Sequence, residues 1–216
     1  MVGSVTGRVF LAVAGNIGSG KTTLTRRLEE RLGLGALYED TADNPYLPDF
    51  YQDMRRWAMA VQLRFLATRV TQTKQLLMGG VSVIQDRTCY EDAEIFAANL
   101  ASRGDMDARD WKTYSLIATQ LFEGMPPPDL LVYLRRSPTS CRTQIVNRDR
   151  AYERQIPMDY LADLGARYDG WFEGYQRGAK MIVRAEEHDF LHSQDDLEAL
   201  VGRIIEALPQ RPLTFG

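Results

Sequence analysis

The clearest chemistry in this sequence lies in Gly15-Asn16-Ile17-Gly18-Ser19-Gly20-Lys21-Thr22, which matches the pattern G-x-x-x-x-G-K-[ST]. Glycines at this spacing let backbone N–H groups converge on a polyphosphate. A helix that follows turns its positive end toward the same point. Lys21 then reaches the β and γ oxygens of a nucleoside triphosphate, and the Thr22 hydroxyl reaches the accompanying Mg²⁺, with Thr23 beside it in the same turn. The plain alternative is a glycine-rich turn with a solvated lysine. The flanks argue against it. Val9–Ala14 is wholly apolar and reads as a buried parallel strand, and Lys21–Leu32 reads as a helix.

A phosphate cradle alone does not separate kinases from GTPases or ATPase motors. The sequence has no N-K-x-D for guanine and no apolar strand ending in an acidic pair. The chain is also short, so a small-molecule kinase is favoured. Two further strand ends carry polar residues. Glu39 follows Ala36–Tyr38, and Gln85-Asp86-Arg87 follows Val81–Ile84. In α/β sheets ligands bind beyond the carboxyl ends of the strands. Taken singly, each residue is also an ordinary strand-end acid or ion pair. Arg148 and Arg150 are spaced i, i+2 and do not share a helical face, so convergence on one ligand asks for an irregular or extended segment.

These residues need an α/β frame. Helices are expected at Trp57–Leu77, stopped by Gly79-Gly80, and at Glu91–Leu100, Ala108–Phe122, Pro138–Val146, Leu161–Gln176 and Leu197–Leu208. Further strands are expected at Leu130–Leu134, after the rigid Pro126-Pro127-Pro128 connector, and at Met181–Val183. Strands alternating with helices imply a mainly parallel sheet.

The chain has 216 residues, enough for one domain with a sizeable core. The formal net charge of −3 argues against bulk nucleic-acid binding. Cys89 and Cys141 have no metal-ligand spacing and read as free thiols of a reducing cytosol. Met1–Gly7 lacks the features of a signal peptide, and Val9–Ala14 is too short to span a membrane. The expected setting is cytoplasmic, with no membrane partner.

Beyond the cradle, Tyr38-Glu39-Asp40, Asn44-Pro45-Tyr46-Leu47, Asp49-Phe50-Tyr51, Trp57, Gln62, Arg69, Asp86-Arg87-Thr88, Tyr90-Glu91-Asp92, Arg148-Asp149-Arg150, Glu153 and Ile156-Pro157 occur in order. Their order and spacing resemble the deoxynucleoside kinase family, specifically its bacterial deoxyadenosine/deoxyguanosine kinase branch. The resemblance spans about Val9 to Leu208. It implies a P-loop kinase fold, a five-stranded parallel sheet with helices on both faces, and a mobile lid at about residues 144–156. It also implies a dimer through a helix pair, formed with itself or with a related subunit. The aromatic Leu161–Gln176 segment suits a partner surface or a core equally well.

The family resemblance implies the site roles. Glu39 takes the proton of the 5′-OH, although Asp40 stands where most of the family has proline. Asp86, where the longer Glu is usual, helps Thr22 hold Mg²⁺. Arg87 bridges the 5′-oxygen and the phosphoryl group, as a planar fork can. Arg148 and Arg150 close on the ATP phosphates, while Gln144 stands where some relatives carry another lid arginine. Tyr51 and Glu153 hold the sugar 3′-OH. Gln62 and Asp92 read the base edge, with Arg69 on the same helix face as Gln62 and able to pair with Asp92. Phe96 stacks on the base. Asp189 and Phe190 close over the adenine of ATP, and His188 is a loop residue. The expected reaction is transfer of the ATP γ-phosphoryl group to a deoxynucleoside 5′-OH, deoxyadenosine being preferred and deoxyguanosine the alternative. A nucleotide-binding subunit without turnover lacks Glu39 or Asp86-Arg87. A thymidylate-like kinase needs a second phosphate cluster near Tyr51, Gln62 and Glu153.

Overall fold

The computed structural model describes residues 8–39, 44–190 and 193–209. Its centre is one parallel sheet of β1 (Phe10–Ala14), β2 (Gly35–Leu37), β3 (Val83–Asp86), β4 (Leu130–Arg135) and β5 (Ala179–Arg184), in the order β2-β3-β1-β4-β5. Every pairing is parallel. Val13 faces Asp86 on one side and Val132 on the other. The central strands are buried on both faces, which is why they read as unbroken apolar runs rather than alternating ones.

Alternate residues of β1 feed two cores. Leu11 and Val13 join Ile84, Val132 and Leu134 beneath helices α1 (Lys21–Leu32) and α9 (Gln194–Ala207). Ala12 and Ala14 face a second layer with Leu131 and Tyr133. That layer is built from α3 (Met54–Met78), α6 (Ala108–Phe122) and α8 (Met158–Gly174). The expected fold is therefore found. Of the aromatics of Leu161–Gln176, Tyr168 and Tyr175 are buried in the core, whereas Trp171 and Phe172 are only partly buried.

The helix predicted from Glu91 begins earlier, at α4 (Cys89–Glu91). Thr88 and Glu91 form a reciprocal capping box that fixes the start. The chain continues through a π-helical turn, Asp92–Ala97, into α5 (Ala98–Arg103). The long helix begins at Met54 rather than Trp57, because the Asp53 side chain accepts from Arg56 N at 3.0 Å. A short helix α2 (Leu47–Phe50) and the 3₁₀ turn Ala151–Gln155 carried no periodic signal. The remaining helix, α7 (Pro138–Arg148), runs two residues beyond Val146. Among the described residues no helix is long and apolar enough to cross a membrane. Both cysteines are free and buried, and burial pushes the Cys89 thiol up to about 12.

Candidate active site

The loop between β1 and α1 is shaped as a phosphate cradle. Gly20, at φ 101°, caps α1 without any side-chain hydrogen bond, so the first N–H groups of the helix stay open. Gly18 sits at φ 76°, and a Cβ there would lie 2.4 Å from the carbonyl oxygen of Cys141. Only glycine lets the loop approach α7 so closely. Asn16 ties the loop to α8 by donating to the Leu161 carbonyl at 2.9 Å. Lys21 donates its Nζ to the Asn16 carbonyl at 2.8 Å. Burial, with Arg87 next in effect, lowers the Lys21 ammonium from 10.5 to about 8, against the opposing pull of Asp86 and Glu39.

At the carboxyl ends of β2 and β3 the charges are interlocked. Arg87 lies at φ 70° although it is not glycine, and it is buried. This costly backbone is held on both sides: Arg87 N donates to the Val13 carbonyl at 3.0 Å, and Thr88 N donates to the Glu91 carboxylate at 2.7 Å. The Arg87 guanidinium lies 4.1 Å from the Phe96 ring centre, with Nε 3.6 Å from Glu39 Oε1. Arg69 Nη2 donates to the same Glu39 oxygen at 2.8 Å. Burial alone would raise the Glu39 carboxyl. Arg87, then Arg69 and Lys21, outweigh it and hold the group down to about 2. Its ionised form therefore adds stability above the ordinary carboxylate range, and that stability is lost as pH falls through about 2.

A cavity of about 280 Å³ opens in front of these groups. The cradle and Glu39 lie along it, and Gln62, Asp92 and Phe96 also line it. Gln62 is 3% exposed, and its Oε1 has no hydrogen-bond partner among the described residues. Asp92, equally buried, binds Arg69 Nε at 2.6 Å. Arg148, Arg150 and Glu153 line the cavity too. Arg148 ends α7, and the left-handed Asp149 turns the chain so that Arg150 converges with it, the irregular segment that the i, i+2 spacing asked for. Glu153 accepts from Arg148 Nε and Nη2, each at 2.6 Å, and from Arg150 Nη1 at 3.4 Å.

Comparison with known proteins bears on this arrangement. Residues 11–209 match the model of the deoxynucleoside kinase family. The chain belongs to that family. A deoxyadenosine/deoxycytidine kinase of Bacillus subtilis is 36% identical over 205 residues, covering 92% of this chain and 93% of its own. A deoxyguanosine kinase of Lactobacillus acidophilus is 34% identical over 209 residues, covering 93% of this chain and 91% of its own. Among solved structures, the deoxyadenosine kinase from M. mycoides with bound dATP superimposes with a TM-score of 0.80 at 25% identity. It covers 91% of this chain and 99% of that one. The chain is thus a deoxynucleoside kinase, and its relatives differ in the base they are named for.

In this deoxynucleoside kinase most sequence-predicted site residues converge on the one cavity. Gly18, Gly20, Lys21, Thr22, Thr23, Glu39, Tyr51, Gln62, Arg87 and Asp92 do so, as do Phe96 and the three lid residues. Arg69 does not. It stands behind the wall, its three guanidinium nitrogens directed at Asp92, Glu39 and the carbonyls of Asp86 and Arg87. Asp189 is exposed, and its N–H donates to Asp196 at 2.7 Å; Phe190 is buried in the core under α9 rather than on the cavity. Asp40 and His192 lie outside the described residues. Five lining residues lie outside the sequence-predicted site: Leu47, Phe50, Phe65, Gln144 and Tyr160. Phe65 stands one turn after Gln62 on α3, a spacing that pointed to it. Tyr160 carried no signal.

The residues around Thr22 fit a magnesium ion. The Thr22 hydroxyl donates to Asp86 Oδ2 at 2.5 Å, and Asp86 Oδ1 is buried without a hydrogen-bond partner among the described residues. No group of three or more His, Cys, Asp or Glu occurs among them that would hold a metal alone. One carboxylate and one hydroxyl suit a hard cation that keeps waters and phosphate oxygens in its shell.

Proposed function

We propose that this enzyme phosphorylates the 5′-OH of deoxyadenosine in preference to other deoxynucleosides, with MgATP as donor, in a single domain whose lid is about residues 144–156. The observation that carries the base preference is the orphaned Oε1 of Gln62 beside Asp92. An amide offers an acceptor next to a donor, which complements the amino group and ring nitrogen of adenine, and equally of cytosine. Asp92 adds an acceptor for an exocyclic amino group. With Arg69 occupied by Asp92, Glu39 and two carbonyls, guanine O6 gains a bond from it only by breaking one. A hydrogen-bonding site rejects a mismatched edge because its buried groups are left unpaired.

In this reading Glu39 faces the 5′-OH and receives its proton as the phosphoryl group leaves ATP. Lys21 and Arg87 stabilise the oxygens of that group. Arg148 and Arg150 turn from Glu153 to the phosphates, which frees Glu153 to join Tyr51 at the 3′-OH. Thr22 and Asp86 would hold the Mg²⁺, which when bound would neutralise phosphate charge. A homodimer, or a dimer with a related subunit, is proposed on the family resemblance alone. Of the α8 aromatics Tyr168 is packed in the core, while Trp171 and Phe172 stay partly exposed.

Two measurements test the base pocket. In wild type, kcat/KM is expected to be highest for deoxyadenosine and lowest for thymidine. Gln62→Glu should shift preference toward deoxyguanosine, whose edge presents two N–H donors. Deoxyguanosine or thymidine leading in the wild type, or no shift in the variant, overturns the assignment. A deoxynucleoside triphosphate whose base occupies the Gln62 wall and whose phosphates occupy the cradle blocks both substrates. dATP is therefore expected to inhibit competitively against ATP. Turnover of dATP purely as a phosphate donor counts against this.

A further inference from the structure

Arg69 does not line the cavity, and all three of its guanidinium nitrogens are engaged by the protein. It is 3% exposed, lies behind the cavity wall and contacts three working parts of the site at once. Nε binds Asp92 of the base wall at 2.6 Å, and Nη2 binds Glu39 at 2.8 Å. Nη1 donates to the carbonyls of Asp86 and Arg87, each at 3.3 Å. One rigid planar group therefore fixes the distance between the carboxylate that meets the base and the carboxylate that meets the 5′-OH. It also pins the strained backbone of Arg87. A guanidinium does this because its donors lie in one plane with fixed directions. A displacement of Asp92 is carried to Glu39 rather than absorbed, since the buried hydrogen bonds cannot be exchanged for water.

We propose that Arg69 is a positioning residue that couples the base wall to Glu39, so that a well-matched base raises kcat as well as lowering KM. This rests on the reading of Glu39 as the group that faces the 5′-OH. If it is correct, specificity between deoxynucleosides appears partly in turnover, because a base that misplaces Asp92 also misplaces Glu39. A residue that only touched the base would change KM alone.

The groups around Glu39 make the coupling visible in a pH profile. Lys21 of α1, Arg69 of α3 and Arg87 after β3 face it as cations. Asp92 of the π-helical turn and the hydroxyls of Tyr51 and Tyr168 are its other titratable neighbours. Removing the fork of Arg69 takes away one of the two guanidinium partners and lets the Glu39 carboxyl rise toward its ordinary range.

The test is a cycle of Arg69→Lys, Glu39→Gln and the double variant, with Arg69→Met alongside and thermal melts for each. Lysine keeps the charge but cannot reach Asp92 and Glu39 together, so it remains informative if Arg69→Met does not fold. The expected result is a fall in kcat of about tenfold or more for deoxyadenosine in Arg69→Lys, within the range of direct pairwise coupling. The ratio of kcat between deoxyadenosine and deoxycytidine should shrink toward one. An acid limb should enter the kcat profile at higher pH than in wild type. In the Glu39→Gln background the further loss from Arg69→Lys should largely vanish. A full additional loss in the double variant, or a change in KM with kcat and the acid limb unmoved, overturns the coupling while leaving the role of Glu39 intact. Wild-type kcat in Glu39→Gln alone instead removes the reading beneath it, and the proposal falls with it.

Discussion

Lys21→Ala is expected to abolish measurable phosphoryl transfer while leaving the ligand-free protein at least as stable as wild type. The two halves of this prediction have one cause. Lys21 is 6% exposed, and burial together with Arg87 lowers its ammonium to about 8. Its ordinary value is 10.5, so between pH 8 and 10.5 the unfolded chain binds more protons than the folded one. Stability from this group therefore rises with pH across that window, and below about 8 the folded protein carries the full cost of a buried charge. Alanine removes that cost and loses the hydrogen bond to the Asn16 carbonyl together with the attraction to Asp86 and Glu39, which burial outweighs. With phosphate present the balance reverses. The loss of one preorganised donor at a developing charge typically costs about 10²–10³-fold in kcat, and a full cation in a dry cradle lies at or above that range. Stabilisation by a non-hydrolysable ATP analogue should fall with it, since ligand stabilisation follows affinity. In wild type, ATP binding above pH 8 requires proton uptake by Lys21, so the KM for ATP should rise there before kcat falls. Near wild-type kcat in Lys21→Ala would remove the cradle from the mechanism.

The cradle was legible because its pattern is local. Gly15 through Thr22 are adjacent in sequence, and a strand and a helix are visible on either side. The sheet was legible for the same reason: buried parallel strands are uninterrupted apolar runs. Element ends were less so. The Thr88-x-x-Glu91 capping box is present in the sequence and sets the helix start at Cys89, ahead of the acid from which the helix is expected. Contacts between distant residues were the least accessible. The Arg69–Asp92 pair was expected, but nothing in the sequence says that the same guanidinium also holds Glu39. Resemblance to the family brought Arg69 into the site, and only the fold shows it behind the wall rather than on it. The π-helical turn at Asp92–Ala97 likewise has no periodic signature in six residues, yet it carries Asp92 and Phe96 into the cavity. Asp189 and Phe190 show the converse. A loop position carried over from relatives fixes a place in the chain, but it does not say whether an aromatic ring faces a ligand or the core.

Glu39→Gln is the second large effect expected, a fall in kcat of about 10²–10⁴-fold with little change in deoxynucleoside affinity. With Glu39 facing the 5′-OH as proposed, the amide keeps the shape and still accepts a hydrogen bond from it, so binding should persist. What it cannot do is take the proton. The low value of about 2 in the ligand-free protein is far from that of an efficient base, because general bases work best near the operating pH. Two features resolve this. Phosphoryl transfer has a loose transition state in most analyses, so the hydroxyl need not be deprotonated early. And the leading cause of the depression is Arg87, which in the proposed mechanism turns part of its charge to the transferring phosphoryl group. Glu39 is then less stabilised as an anion at the moment it receives the proton than when the site is empty. Because the carboxyl is ionised throughout the neutral range, no acid limb from it should appear in the wild-type kcat profile at any pH near neutrality. Gln at position 39 also leaves Arg69 and Arg87 with an uncharged partner, a cost that a melt reads separately from turnover. A loss of kcat under about fivefold in a variant that melts like wild type would move proton acceptance to another carboxylate, with Asp40 the first to substitute.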